Sequence, residues 1–178
     1  MVVAGGASRP EVVLRSRDEL GDPSGRVRKN AYHAARTLDL AAAAELVEAA
    51  ERIATRRAES AIDGAVRRAA EDGAIVRSCA VVVGASGDAP LETIVKSHAL
   101  VHAAEGRLYQ RALLQAADTH GLITMAVPKQ SIWQQGDAVF GIAPNVLRDR
   151  LDRLRRELGP PWAEDQKLAA LAAWLALE

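Results

Sequence analysis

The sequence is poor in aromatic residues and in cysteine. Its 178 residues include three tryptophans, two tyrosines and one phenylalanine. This scarcity argues against an aromatic-rich β-sandwich and favours helices that pack through small side chains. The single cysteine, Cys79, excludes an intramolecular disulfide framework and is typical of a protein from a reducing cytoplasm.

The sequence also lacks an excess of either charge and any long apolar run. Its 23 basic and 23 acidic residues cancel, so no global basic field attracts nucleic acid or an anionic membrane. No window approaches 18 consecutive apolar residues, and no charged segment precedes an apolar run at the N-terminus. We therefore expect a cytoplasmic protein that does not enter membranes.

What the sequence does contain is the pattern of an α/β protein. The composition is 49% apolar and 26% charged, which is ordinary for a globular domain of this length. Residues 1–4 and 11–15 are short β-branched runs that predict a hairpin, and residues 17–30 predict a loop whose order the sequence leaves open. The further predicted elements are helix 40–72 after the N-cap Asp39, strand 75–83, helix 88–121, strand 122–127 and helices after Pro128.

This order of elements predicts a small mixed sheet covered by two long helices. Because helix 88–121 connects strands 75–83 and 122–127, we expect these two strands to pair in parallel. The hairpin would complete the sheet. Residues 1–158 are expected to form one domain, on which the C-terminal helix, residues 159–178, packs.

The helix 88–121 carries the most informative residues of the chain. At about 100° per residue, His98, His102 and Glu105 fall on the same face as Leu91, Ile94 and Ala112, the face expected to be inward. Burial of ionisable groups is unfavourable unless they are paired. The sequence therefore predicts either a buried hydrogen-bonded network or a metal site at this cluster.

The spacing of the cluster is compatible with a divalent metal such as zinc. Two histidines four residues apart on one helix can share an ion, and Glu105 would be a third ligand or the partner of an imidazole. Asp88, His120 and Lys129 are possible accessory residues, while His33 is too distant in sequence to be placed. A zinc deaminase site is excluded, because the sequence lacks the second cysteine that its ligand set requires.

Two other segments have a weaker functional pattern. Gly84-Ala85-Ser86-Gly87 lies between a strand and a helix, but it lacks the Lys-Ser/Thr of a P-loop and predicts a plain turn. The arginine-rich helix 144–158 could bind nucleic acid, yet acidic residues interleave with its arginines as in a solvated, salt-bridged face. Cys79 is expected to be an inert core residue.

Two resemblances accompany these patterns. The element order of about the first 130 residues resembles the ribonuclease H-like fold, although residues 1–4 lack the acidic residues that such enzymes use to bind metal. The strings His98-Ala99-Leu100-Val101-His102-Ala103-Ala104-Glu105-Gly106 and Pro160-Pro161-Trp162 resemble signatures of a bacterial family of unknown function. The first resemblance implies topology only, and the second implies no activity.

Three functions are therefore open from the sequence. The first is a non-enzymatic α/β domain that acts by self-association or by binding a protein partner. The second is a metal-dependent hydrolase or nuclease that uses His98, His102 and Glu105. The third is nucleic-acid binding through helix 144–158.

Overall fold

The computed structural model describes the backbone of residues 2–4 and the complete residues 11–84 and 87–178. The strands in these ranges are β1 (Val2–Ala4), β2 (Glu11–Leu14), β3 (Ser78–Val83) and β4 (Ile123–Pro128). The helices are α1 (Ala31–Ala35), α2 (Leu40–Glu71), α3 (Leu91–Lys96), α4 (His98–Thr119), α5 (Ile132–Phe140), α6 (Pro144–Leu158) and α7 (Glu164–Leu175). The predicted hairpin loop at residues 5–10 and the middle of the predicted turn 84–87 lie outside the described residues.

The mixed α/β class and the parallel pairing of the two central strands are confirmed. β3 and β4 pair in parallel, with Ser78 opposite Ile123 and Val83 opposite Pro128. β1 and β2 pair antiparallel, as predicted for a hairpin, but they form a sheet of their own. The hairpin contacts α7 and α2 instead of extending the parallel pair, so the single mixed sheet of the prediction is divided into two.

The helix predicted over residues 88–121 is interrupted at Ser97. The backbone of Ser97 is extended, with φ −116° and ψ 117°, and its hydroxyl accepts a hydrogen bond from the Leu100 N–H at 3.4 Å. Serine is a favoured N-cap because its side chain satisfies an otherwise free N–H of the first turn. The chain therefore forms α3 and then starts a new helix, α4, whose first residue is His98.

Helix α2 is formed as its sequence predicts. The Asp39 carboxylate accepts a hydrogen bond from the Ala42 N–H at 2.9 Å, which caps the first turn. Gly73, with φ 74°, follows the last turn in the left-handed conformation that glycine adopts without strain. The buried face of α2 consists of small residues: Ala43, Val47, Ala50, Ala54, Ala58, Gly64 and Ala69.

Two apolar clusters form the core. The first joins α1, α2, α3 and α4, and its members include Ala54, Val101 and Leu108. The second lies between the parallel strands and α5, α6 and α7, where Trp162 donates a hydrogen bond from Nε1 to the Leu151 carbonyl at 2.7 Å. The C-terminal helix α7 thus packs on β3 and on the two helices before it.

In the part of the chain that the structure describes, every helix is too short or too polar to cross a membrane.

Candidate metal centre

The two histidines of α4 lie at the rim of the first core. The buried residues of α4 near them are Val101, Ala104 and Leu108, whereas His98 and His102 are exposed and Glu105 is half-buried. The prediction of an inward position was therefore wrong for the two histidines, whereas the Glu105 side chain is only 13% exposed. Ala112 and Ala116 of the predicted stripe are buried in the first core, but near the histidines the buried positions are taken by other residues of α4.

His98 and His102 face each other across one helical turn. Their Nε2 atoms are 3.3 Å apart, and their ring centroids are separated by 4.4 Å with nearly perpendicular planes. At this distance one imidazole can donate a hydrogen bond to the other, or both can direct a lone pair at a shared ion. The expected pairing of these two side chains is therefore present, although at the surface.

A third imidazole, that of His33, completes the group. His33 lies on the short helix α1, and its ring centroid is 4.6 Å from that of His102 and 5.8 Å from that of His98. One ring nitrogen from each of the three histidines lies within 4.8 Å of the other two. The fold thus gathers three of the four histidines of the chain into one cluster, which we call the three-imidazole cluster.

Glu105 contacts the three-imidazole cluster through His33. Its Oε1 accepts a hydrogen bond from the His33 backbone N–H at 3.1 Å and lies 3.5 Å from His33 Nδ1. The Glu105 side chain is only 13% exposed, and its Oε2 and the Nδ1 of His33 have no hydrogen-bond partner among the described residues. A buried carboxylate next to Nδ1 favours a proton on that nitrogen, which leaves Nε2 of His33 free to bind a ligand.

Helix α1 is held against α3 and α4 at both ends. Before it, the Tyr109 hydroxyl donates a hydrogen bond to the Lys29 carbonyl at 2.7 Å, and after it the Arg36 Nε donates to the Val95 carbonyl at 3.1 Å. Its residues Ala31, Tyr32 and Ala35 are buried. These contacts fix the position from which His33 meets the histidines of α4.

The accessory residues predicted from the sequence lie elsewhere. Asp88 pairs with Arg111, and His120 hydrogen-bonds through Nδ1 to the Ala116 carbonyl at 2.9 Å, at the far end of α4. His120 is about 27 Å along the helix from His102, at 1.5 Å per residue. Lys129 follows β4, with its Nζ 4.0 Å from an Asp165 carboxylate oxygen. The histidine group includes neither Asp88 nor His120, so the prediction that Asp88, His120 or Lys129 completes its pocket was wrong for these two residues.

The arginine-rich helix α6 has partners for part of its charge. The Arg148 guanidinium lies 3.9 Å from the centroid of the Trp133 ring and 3.5 Å from Glu164, while Asp152 pairs with Lys167. Its apolar face, with Leu147 and Leu151, is buried in the second core. Nucleic-acid binding through this helix remains a prediction.

The cysteine is half-buried on β3. Burial raises the pKa of the Cys79 thiol above its ordinary value, which disfavours the reactive thiolate. Cys79 belongs to neither of the two apolar clusters, so its predicted place in the core was wrong, and its inertness stays a prediction.

Comparisons of this chain with protein-family models, with curated proteins and with solved structures find no match. The two resemblances drawn from the sequence therefore stay predictions, and the candidate function rests on the geometry of the site.

Proposed function

We propose that the protein binds a divalent transition metal, zinc above all, through His33, His98 and His102, with Glu105 orienting His33. The observation that carries this proposal is the convergence of three imidazoles from two separate helices within 4.8 Å. Imidazole is the commonest protein ligand of such metals. The proposal retains the metal-dependent function considered from the sequence, but replaces Glu105 by His33 as the third ligand.

The distances support a tetrahedral ion. Zinc–nitrogen bonds of 2.0–2.1 Å place two ligands of a tetrahedral site about 3.3 Å apart. The Nε2 atoms of His98 and His102 are separated by 3.3 Å, so a shared ion would need no rearrangement of α4. Only the His33 ring has to approach more closely, by a rotation of its side chain or a small shift of α1.

The ligand set and the exposure of the site favour catalysis over a purely structural role. Structural zinc sites have four protein ligands, whereas three histidines with an open fourth position are typical of sites that activate water. His98 and His102 are exposed, so solvent and substrate can reach this fourth position. We therefore propose a metal-dependent hydrolase or nuclease, in which the histidines hold the ion and Glu105 fixes the orientation of His33.

Elemental analysis of the purified protein tests the metal, with a matched control in the fourth histidine. We expect about one equivalent of zinc in the wild type and in His120→Ala, and strong loss of the metal in His33→Ala and His102→Ala. Each variant is checked by circular dichroism, so that loss of metal is read only from folded protein. Absence of metal from the wild type, together with an unchanged melting temperature after addition of Zn²⁺, would overturn the proposal.

That negative result would favour the non-enzymatic function considered first. The three imidazoles would then form a surface hydrogen-bond network between α1 and α4. If zinc is present, hydrolysis of a generic phosphodiester by the zinc-loaded protein, and its loss in His102→Ala, separates catalysis from metal binding alone.

A further inference from the structure

A large cavity runs along β3 and lies apart from the three-imidazole cluster. Its volume is about 1010 Å³, and every residue from Ala74 to Gly84 lines it. The other walls come from α2, with Ile62 and Ala65, from α4, with Leu113, and from α7, with Ala173. The cavity is thus flanked by helices on both faces of the sheet, and we call it the β3 slot.

The β3 slot follows the edge of β3 that has no neighbouring strand. Among the described strands, β3 pairs with β4 alone. Ile123 N–H donates to the Arg77 carbonyl at 3.0 Å and Lys129 N–H to the Val83 carbonyl at 2.9 Å. Backbone N–H and carbonyl groups alternate in direction along a strand, so those of the odd-numbered residues point to β4. The backbone groups of Ser78, Ala80 and Val82 point to the opposite edge, into the slot.

The N–H and carbonyl groups at this edge of β3 have no neighbouring strand to bind among the described residues. A backbone N–H or carbonyl that is removed from water without a hydrogen bond is unfavourable, and an exposed edge is a template for another strand. The side chains of Ala80 and Val82 pack against the second core, and the Ser78 hydroxyl donates to the Ala176 carbonyl at 2.6 Å. The side chains of these residues are therefore anchored in the fold, while their backbone groups face the slot.

The β3 slot is long enough for a strand. The six residues of β3 extend over about 20 Å at about 3.3 Å per residue, and the slot continues past both ends of β3, from Ala74 to Gly84. A cavity of about 1010 Å³ between these helices therefore has room for one extended segment.

The charges of the slot restrict the composition of this chain. Arg77 precedes β3, while Lys129 and Asp165 lie at the end where β4 stops. Between them the walls of α2, α4 and α7 are mainly aliphatic, with Tyr109 and Gln110 as polar exceptions. A segment that complements the slot has uncharged, apolar side chains in its centre, on both faces of the strand that it forms. Its charged residues lie at its two ends.

We propose that the β3 slot binds an extended apolar segment of a partner protein, which pairs with β3 as an added strand. This mode of recognition gives affinity through main-chain hydrogen bonds and selectivity through side-chain pockets. It does not depend on the proposed metal. The parallel pair then becomes a sheet of three strands with β3 in its centre.

Amide hydrogen exchange of the intact protein tests the proposal, with a synthetic peptide of Thr and Val that has a glutamate at the end meeting Arg77 and a lysine at the end meeting Asp165. Without peptide, the amides of Ala80 and Val82 are expected to exchange fast, while those of Cys79 and Val81, which face β4, are protected. With peptide, Ala80 and Val82 become protected as well. If the amides of Ala80 and Val82 are protected before any peptide is added, the proposal is overturned. Protection that is independent of protein concentration would mean that this chain fills the slot, and protection that rises with concentration would mean that a second copy does.

Two matched comparisons show whether binding occurs through backbone pairing in this slot. N-methylation of the peptide at two N–H groups that face β3 keeps its side chains and is expected to weaken binding at least about tenfold. Ala173→Leu fills the slot and is expected to abolish binding, while Ala70→Leu, on the exposed face of α2, leaves it unchanged. Equal binding of both peptides, or undiminished binding to folded Ala173→Leu, would overturn the proposal.

Discussion

Glu105 accepts a hydrogen bond from the backbone N–H of His33, a residue 72 positions earlier in the chain, at 3.1 Å. The same carboxylate oxygen lies 3.5 Å from Nδ1 of the His33 ring. One acidic side chain therefore binds the backbone of His33, the residue that brings α1 to the two histidines of α4, and places a carboxylate beside its imidazole.

Glu105→Gln is expected to weaken zinc binding about 10- to 100-fold, the usual effect of changing the partner of a metal-binding histidine. The amide keeps the size of the side chain but removes the charge next to Nδ1. Competition with a chelator measures the affinity. Glu92→Gln is the control, since Glu92 pairs with Lys96 on the exposed surface of α3. Equal zinc affinities of the two variants would show that Glu105 does not orient His33.

The pKa of Asp22 is expected to lie below that of a free aspartate. Hydrogen bonds from the backbone of Val27 and from Ser24 lower its pKa from 3.8 to about 2. Because the folded pKa is the lower one, the contribution of Asp22 to stability is present above pH 3.8 and is lost as the pH falls toward 2. Carboxyl NMR titration measures this, and Ser24→Ala should raise the pKa toward 3.8. A pKa near 3.8 in the unaltered protein would mean that this turn is not formed.

Gly136→Ala is expected to destabilise the protein by about 1–3 kcal/mol, the usual cost of overpacking a core. A Cβ at this position of α5 would lie 2.8 Å from Leu147 Cδ1 and 3.3 Å from Leu171 Cδ1. Gly106→Ala is the matched control, because its Cβ would meet only the end of Gln110, and it should stabilise α4 by about 0.5–1 kcal/mol. Urea unfolding of both variants measures the difference. The same sign for both would contradict the packing around α5.

Arg15→Met is expected to lower stability by about 1 kcal/mol. The Arg15 guanidinium donates to the carbonyls of Leu158, Gly159 and Pro161 at 2.9–3.0 Å, and so joins β2 to the end of α6. Arg17→Met is the control, because among the described residues the charged partner of Arg17 is Glu19, at 3.7 Å. Thermal melting should separate the two variants, and an equal effect would show that the Arg15 contacts are not maintained.

The elements that could be predicted are those with a local signal. Asp39 and Gly73 mark the ends of α2, and an apolar run on each side of a long helix indicates the parallel pair. The break at Ser97 had no such signal, because serine is tolerated inside a helix and only its cap geometry ends one. The separation of the hairpin from the parallel pair depends on contacts with α7 and α2, which composition does not reveal.

Most of the candidate site could be predicted for the same reason. The spacing of His98, His102 and Glu105 is local to one helix, so their proximity follows from helical geometry. His33 has no comparable signal, because its helix is five residues long and its contact with α4 depends on tertiary packing. The exposure of the two histidines was not predicted, because the stripe assigned to the core differs by one helical position from the one that Val101 and Leu108 occupy.

The unequal lengths of α1 and α4 have a consequence for the cluster between them. α4 has 22 residues and packs on α2 along its length, whereas α1 has five residues, too few to persist as a helix on its own. The helical form of α1 therefore depends on its buried side chains and on the hydrogen bonds that Tyr109 and Arg36 donate beside it. The position of His33, and with it the geometry of the cluster, can thus be changed by substitutions at residues outside the cluster.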